Sequence, residues 1–224
     1  MKNIIIASIF GLSQLCFAQD PITKDLGSFT KISTFDQINV TLIPSDKNQI
    51  VITGKLASEV EIVNKNGTLK VRLPLTKLLK GDEITATIYH RQLESVDANE
   101  GSRITSEATY EGVGFSVSAQ EGSQININLD VDKVTVKGSQ GSVISIAGNA
   151  KTQDVVMNSG AIYKAENLIT NQTTITVNAG GEASINAKEI VDAKVRAGGN
   201  ITVYGKPKQI NQKVIAGGNI KEIK

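Results

Sequence analysis

The chain has 224 residues and carries 24 Lys and Arg against 22 Asp and Glu, a formal charge of +2, so it has no basic field with which to hold nucleic acid. Hydrophobic residues make up 40% and aromatic residues 4%, with no Trp, which is enough for a core but offers few platforms for stacking sugars or bases. One His and one Cys in the whole chain exclude His/Cys zinc sites, Cys-His nucleophile pairs and disulfide frameworks.

Lys2 precedes the apolar run Ile4 to Leu12, and the small residues Cys16 and Ala18 stand just before Gln19. That is the layout of a secretory signal peptide over residues 1–18. The apolar stretch to Phe17 is shorter than the roughly 20 residues that span a bilayer, and no second such run occurs, so no transmembrane segment is expected. Cys16 follows Ser13-Gln14-Leu15; a lipidation box needs a small residue directly before its cysteine, so a lipid anchor is not expected either. Removal of residues 1–18 takes away Lys2 and the only Cys, leaving 23 minus 22, or +1. The exported protein must then be stable without a disulfide. Cleavage between Ala18 and Gln19 is a first prediction: the intact mass of exported protein should lack residues 1–18, and a diacylglycerol adduct on Cys16 would refute it.

Residues 19–92 form an N-terminal β region continuous with the repeats of residues 93–224. Ile38 to Leu42, Gln49 to Thr53, Val60 to Val63, Leu69 to Leu73 and Ile84 to Tyr89 read as a series of strands. Asn66-Gly67 joins the third and fourth as a hairpin. Thr76 to Gly81 has room for at most one helical turn.

From residue 93 to 224 the chain repeats. Val, any, small, any, any, Gly, any, any, aliphatic occurs in Val96 to Ile104, Val117 to Ile125 and Val136 to Ile144, with looser copies starting at Val155, Val177, Val195 and Val214. A period near 20 over seven units signals a solenoid. The segments Ile125 to Leu129, Val134 to Val136 and Ile144 to Ile146 alternate with period two, so the units are made of strands separated by Gly, Asn, Ser and Asp turns. Each unit is one coil of a parallel β-helix, and seven coils at about 4.8 Å each give a rod roughly 34 Å long. Open end coils invite edge-to-edge aggregation. The N-terminal strands and hairpin are expected to cap one end, and Lys221 to Lys224 to blunt the other with charge.

The segment Phe35 to Val40, the later Asn66 to Leu69, and the Gly-Ser units ending in Ala197-Gly198-Gly199-Asn200-Ile201 and Ala216-Gly217-Gly218-Asn219-Ile220 resemble the auto-transporter adhesin head domain, or GIN-domain, family of secreted Bacteroidetes proteins. The similarity covers about residues 30–220. The resemblance implies a right-handed β-helix and a cell-envelope or extracellular setting. After the solenoid no residues remain for a membrane barrel, so export across an outer membrane would use separate machinery.

No spacing marks a catalytic site. His90 lies near Glu94 and Asp97, but without the serine or carboxylate arrangement of a triad it is expected to be an exposed or turn histidine. Asp130, Asp132 and Asp154 sit near Lys133 and Lys151 and lack the acidic density of a calcium repeat, so they are expected to be solvated turn charges. Catalytic residues, metal ligands and cofactors are therefore not expected. Stacked coils do bring equivalent positions into columns. Asn99, Gln120, Ser139 and Asn158 form one, and Glu100, Glu121, Gln140 and Ser159 the next; together they make a flat, amide-rich polar ladder. Such a face can hydrogen-bond an extended glycan or other cell-surface polymer, or be a solvent face whose amides satisfy one another. Glu100 stacked near Glu121 is mildly repulsive.

The sequence thus favours an exported, non-enzymatic binding or adhesion module in the periplasm, on the cell surface or outside the cell. A carbohydrate-active β-helix enzyme and a structural envelope component are the alternatives. An enzyme needs a groove with two or more convergent carboxylates, or a cation beside a metal; a binder needs only the ladder.

Overall fold

The computed structural model describes residues 20–223; the expected signal segment, its expected cleavage point and Lys224 lie outside the described residues. Within them no helix is long and apolar enough to cross a membrane. The fold is a β-solenoid of about seven turns. Its turns are built from strands β8 (Ser95–Ala98), β9 (Arg103–Ala119), β10 (Gln124–Gly138), β11 (Val143–Met157), β12 (Ile162–Asn178), β13 (Glu182–Arg196), β14 (Asn200–Tyr204), β15 (Gln209–Ile215) and β16 (Asn219–Glu222). All neighbouring coils pair in parallel, with Ile125 opposite Ile144 and Val136 opposite Val155 and Val117.

The alternating pattern drives this stacking. Along β10, Ile125, Ile127, Leu129, Val131, Val134 and Val136 are all buried, and the alternation changes phase at Asp132-Lys133, where the strand bends. Each bent strand therefore lines the core on two sides and presents two polar faces outward. The inward positions expected from the repeat, Val117, Val136, Ile125 and Ile144, are 2% exposed or less. They stack as aliphatic columns in one continuous core that runs from Phe29 to Val203. In the last coil two inward positions turn polar: Gln212 stands opposite Ala193 and Glu222 opposite Val203.

Upstream, the predicted strands fall on β3 (Asn39–Pro44), β4 (Gln49–Thr53), β5 (Glu61–Lys65), β6 (Thr68–Arg72) and β7 (Thr85–His90). The short strands β1 (Ile22–Asp25) and β2 (Lys31–Thr34) carry no periodic signal in the sequence. β5 and β6 form the antiparallel hairpin at Asn66-Gly67, whose φ values of 52° and 73° are those of a type I′ turn. The helical turn shrinks to a 3-10 turn at Leu75–Lys77. β2 and β3 form a rung that lies between the β6–β7 rung and the coil of β8 and β9, pairing in parallel with both. Beyond the β6–β7 rung, β4 pairs antiparallel with β7, and β1 with β4.

Candidate functional site

Five successive coils, with corners starting at Asn99, Gln120, Ser139, Asn158 and Asn178, turn one corner in the same way. At Asn99 to Ser102, Gln120 to Ser123 and Ser139 to Ser142, the two central residues have positive φ: 53° and 71° at Glu100-Gly101, 57° and 72° at Glu121-Gly122, and 52° and 70° at Gln140-Gly141. The fourth residue's N–H donates to the first residue's carbonyl at 3.0 to 3.2 Å. These are type I′ turns, which explains the recurrent glycine, since the second central position in the left-handed region suits it best. Between coils, the N–H of Gly101 donates to the Glu121 carbonyl and that of Gly122 to the Gln140 carbonyl, each at 2.9 Å. The corners therefore stack as a rigid ladder.

A column of buried serines holds the corners from inside. The hydroxyls of Ser102, Ser123 and Ser142 accept from the N–H groups of Asn99, Gln120 and Ser139 at 3.0 to 3.1 Å. Each donates in turn to a carbonyl of the preceding coil: Thr34 at 3.2 Å, Ala98 at 2.7 Å and Ala119 at 2.9 Å. Sequence reasoning missed this role, reading the serines only as turn filler, although their fixed place after each Gly was visible in the repeat.

The corner brings the predicted ladder residues together, with differing access. In the first column Asn99 is 2% exposed. Its Nδ2 donates to the Thr34 carbonyl and to Asp97, and its Oδ1 accepts from Gln120 Nε2 at 2.6 Å. Asn99 is thus a satisfied core amide and does not face solvent, because the β2–β3 rung covers it. Gln120 is exposed, while Ser139 and Asn158 are half-buried, and Asn178 Nδ2 donates to Asn158 Oδ1 at 2.7 Å. Amides of this column satisfy one another. The second column stands further out: Glu121, Gln140 and Ser159 are exposed and Glu100 is half-buried. The arrangement is a projecting corner and not a flat face. Burial, then the carboxylates of Asp36 and Glu121, push the Glu100 carboxyl above its usual range. Beside it lies a hollow of about 360 Å³ lined by Gln37, Leu78, Leu79, Glu100, Gly101 and Glu121.

His90 corrects the sequence reading: it is 2% exposed, at the end of β7. Tyr110 arrives from β9, where an extra stretch bulges the strand between the residues paired with Asn126 and Asn128, and stacks on the imidazole with centroids 5.6 Å apart. His90 Nε2 lies 3.3 Å from the Tyr110 hydroxyl, which donates to Ser106 Oγ, which donates to the Leu42 carbonyl. That directed chain leaves Nε2 as the donor. Burial lowers the His90 pKa to about 4. Glu94 lines the same hollow as His90, but neither it nor Asp97 bonds to the imidazole; Asp97 accepts from Ser33 and Asn99. The acidic residues of the coil bend are engaged across coils, Asp154 with Lys133 at 2.5 Å and Asp132 with Lys151 at 2.7 Å. Among the described residues, no three of His, Cys, Asp and Glu converge as metal ligands.

Beside the corner, the outer face of the β9–β15 sheet carries a second set of polar columns that sequence reasoning did not single out. One runs Thr135, Asp154, Thr174, Asp192, Asn211 and the next Lys137, Val156, Thr176, Lys194, Lys213. Their signal was the repeat itself: once the offset of about 19 residues is known, these positions fall into line.

The family model described as "Putative auto-transporter adhesin, head GIN domain" matches residues 28–207. Solved structures that share the fold include three from Bacteroides fragilis and Parabacteroides distasonis. A "putative adhesin" from Bacteroides fragilis is 21% identical with a TM-score of 0.84, covering 92% of this chain and 98% of its own. One from Parabacteroides distasonis is 19% identical with a TM-score of 0.71, over 91% and 96%. A "putative lipid binding protein", also from Parabacteroides distasonis, is 16% identical with a TM-score of 0.65, over 92% and 98%. No curated protein sequence matches the chain.

Proposed function

Because the chain belongs to the GIN-domain family of auto-transporter adhesin heads, we propose that it is an exported, non-enzymatic binding module that holds an extended glycan or other cell-surface polymer along its stacked corner. The observation that carries this reading is the ladder of type I′ turns, which places Glu121, Gln140 and Ser159 in line at one coil spacing, about 4.8 Å. Rigid backbone bonds between the corners fix that spacing in advance, so little ordering is needed on binding. Each corner offers only one or two hydrogen bonds, and affinity comes from repeating them along a polymer. The signal-like N-terminus and the family both support a place in the periplasm, on the cell surface or outside the cell. Support for a non-enzymatic role comes from His90: the chain's one histidine is buried, neutral and engaged with Tyr110.

A glycan array probed with the mature protein tests this reading. Exchanging Glu121, Gln140 and Ser159 together for Lys should abolish the glycan signal while moving the melting temperature by no more than about 2 °C, since all three side chains lie at the surface. His90→Ala should leave the signal intact. If instead the triple variant binds as the parent does and His90→Ala removes a measurable turnover of polysaccharide, the enzyme alternative replaces the adhesion reading.

A further inference from the structure

At the C-terminal end of the outer sheet face, three cations share one patch. Lys194 stands opposite Lys213 in the parallel pairing of β13 with β15. Arg196 lies two residues further along β13, and the alternate residues, Ala193 before Lys194 and Val195 between the two, are buried. Lys194 and Arg196 therefore project from the same side. The described residues hold five ion pairs, and none includes Lys194, Arg196 or Lys213. The facing carboxylate, Asp192, accepts from Asn211 Nδ2 at 2.7 Å, so locally three positive charges meet one negative. Partial desolvation, then the charges of Arg196 and Lys213, lower the Lys194 pKa. The fold holds like charges together and supplies no counter-charge of equal size, a surface that gains from an anion.

We propose that Lys194, Arg196 and Lys213 bind the carboxylate groups of an acidic polysaccharide, a substrate class that deepens the binding-module reading and rests on it. The adjoining positions of the preceding coil are Thr174, opposite Asp192, and Thr176, opposite Lys194. Their hydroxyls suit sugar hydroxyls, so the patch pairs charge recognition with hydrogen bonding. Nucleic acid shares the negative charge, but a chain with 4% aromatic residues and a net charge of +2 lacks the stacking platforms and the broad field that nucleic acid binding uses.

The test compares the parent with the Lys194→Gln, Arg196→Gln, Lys213→Gln variant in affinity electrophoresis and titration calorimetry, using polygalacturonate, inorganic polyphosphate and neutral dextran as probes. The parent should bind polygalacturonate, lose that binding as salt screens it, and bind about tenfold more tightly than the variant. An unchanged melting temperature shows that the variant is folded. The proposal is overturned if the parent does not bind polygalacturonate, if the variant binds it equally well, or if only polyphosphate binds. In each of those cases a glycan signal that depends on Glu121, Gln140 and Ser159 would leave the binding-module reading standing, which separates the two failures.

Discussion

Replacing Val136 by Asp should destabilise the protein by about 4 kcal/mol, through a lost aliphatic side chain and a buried carboxyl without a partner. Val136 is fully buried and stands between Val117 and Val155 in neighbouring coils, so no rotamer reaches water. For a chain of this size the melting temperature should fall by roughly 10 °C. The new carboxyl gives the loss a pH signature. Burial raises its pKa in the folded state above the unfolded value of about 3.9, so the folded state binds the proton more tightly. The deficit is then smallest below that unfolded value and grows as pH rises through the raised one. A melting curve within a degree or two of the parent at neutral pH would show that Val136 does not point inward.

Gly148→Ala should cost nearly as much, about 3 kcal/mol, for a different reason. Gly148 has φ of 111°, and a Cβ placed there would overlap the backbone carbonyl of Leu129 in the preceding coil. The two residues are paired in register, so the backbone cannot retreat without breaking the parallel ladder. Chemical denaturation should show the loss with little change in the slope, since the surface exposed on unfolding is the same. Gly141 makes the control: its φ is also positive, at 70°, but an added Cβ would meet nothing within 4 Å. Gly141→Ala should therefore show the backbone strain alone.

Most of this architecture was legible because its cause is local. Ile125, Val136 and Ile144 recur at fixed intervals with β-branched side chains, and that alternation suffices to predict stacked strands and an inward column. The turn chemistry was equally plain at Asn66-Gly67. What could not be read depends on distant chain segments meeting. Nothing near Lys31 or Thr34 announces that β2 will sit between β6 and β8, and that insertion is what buries Asn99. The same holds for His90, whose burial depends on Tyr110 arriving from a bulge in another strand. The ladder was foreseen as columns, but its shape was not: only the φ values of Glu121 and Gln140 reveal a projecting left-handed corner in place of a flat face. The cationic patch was hidden for a simpler reason, since Lys194 and Lys213 become neighbours only when the coil offset is applied to polar positions as well as to the apolar ones.

In the proposed binding mode a rigid corner holds a polymer by many weak, repeated contacts. Calorimetric titration of the mature protein with a length series of the glycan its array identifies tests this most directly. Affinity should climb with each added sugar while new coils come into reach, at about 0.5 to 1 kcal/mol per contact, and level off once the exposed corners from Glu121 to Ser159 are spanned. An affinity already complete for a single sugar and flat along the series would contradict it, and would place recognition in one discrete pocket.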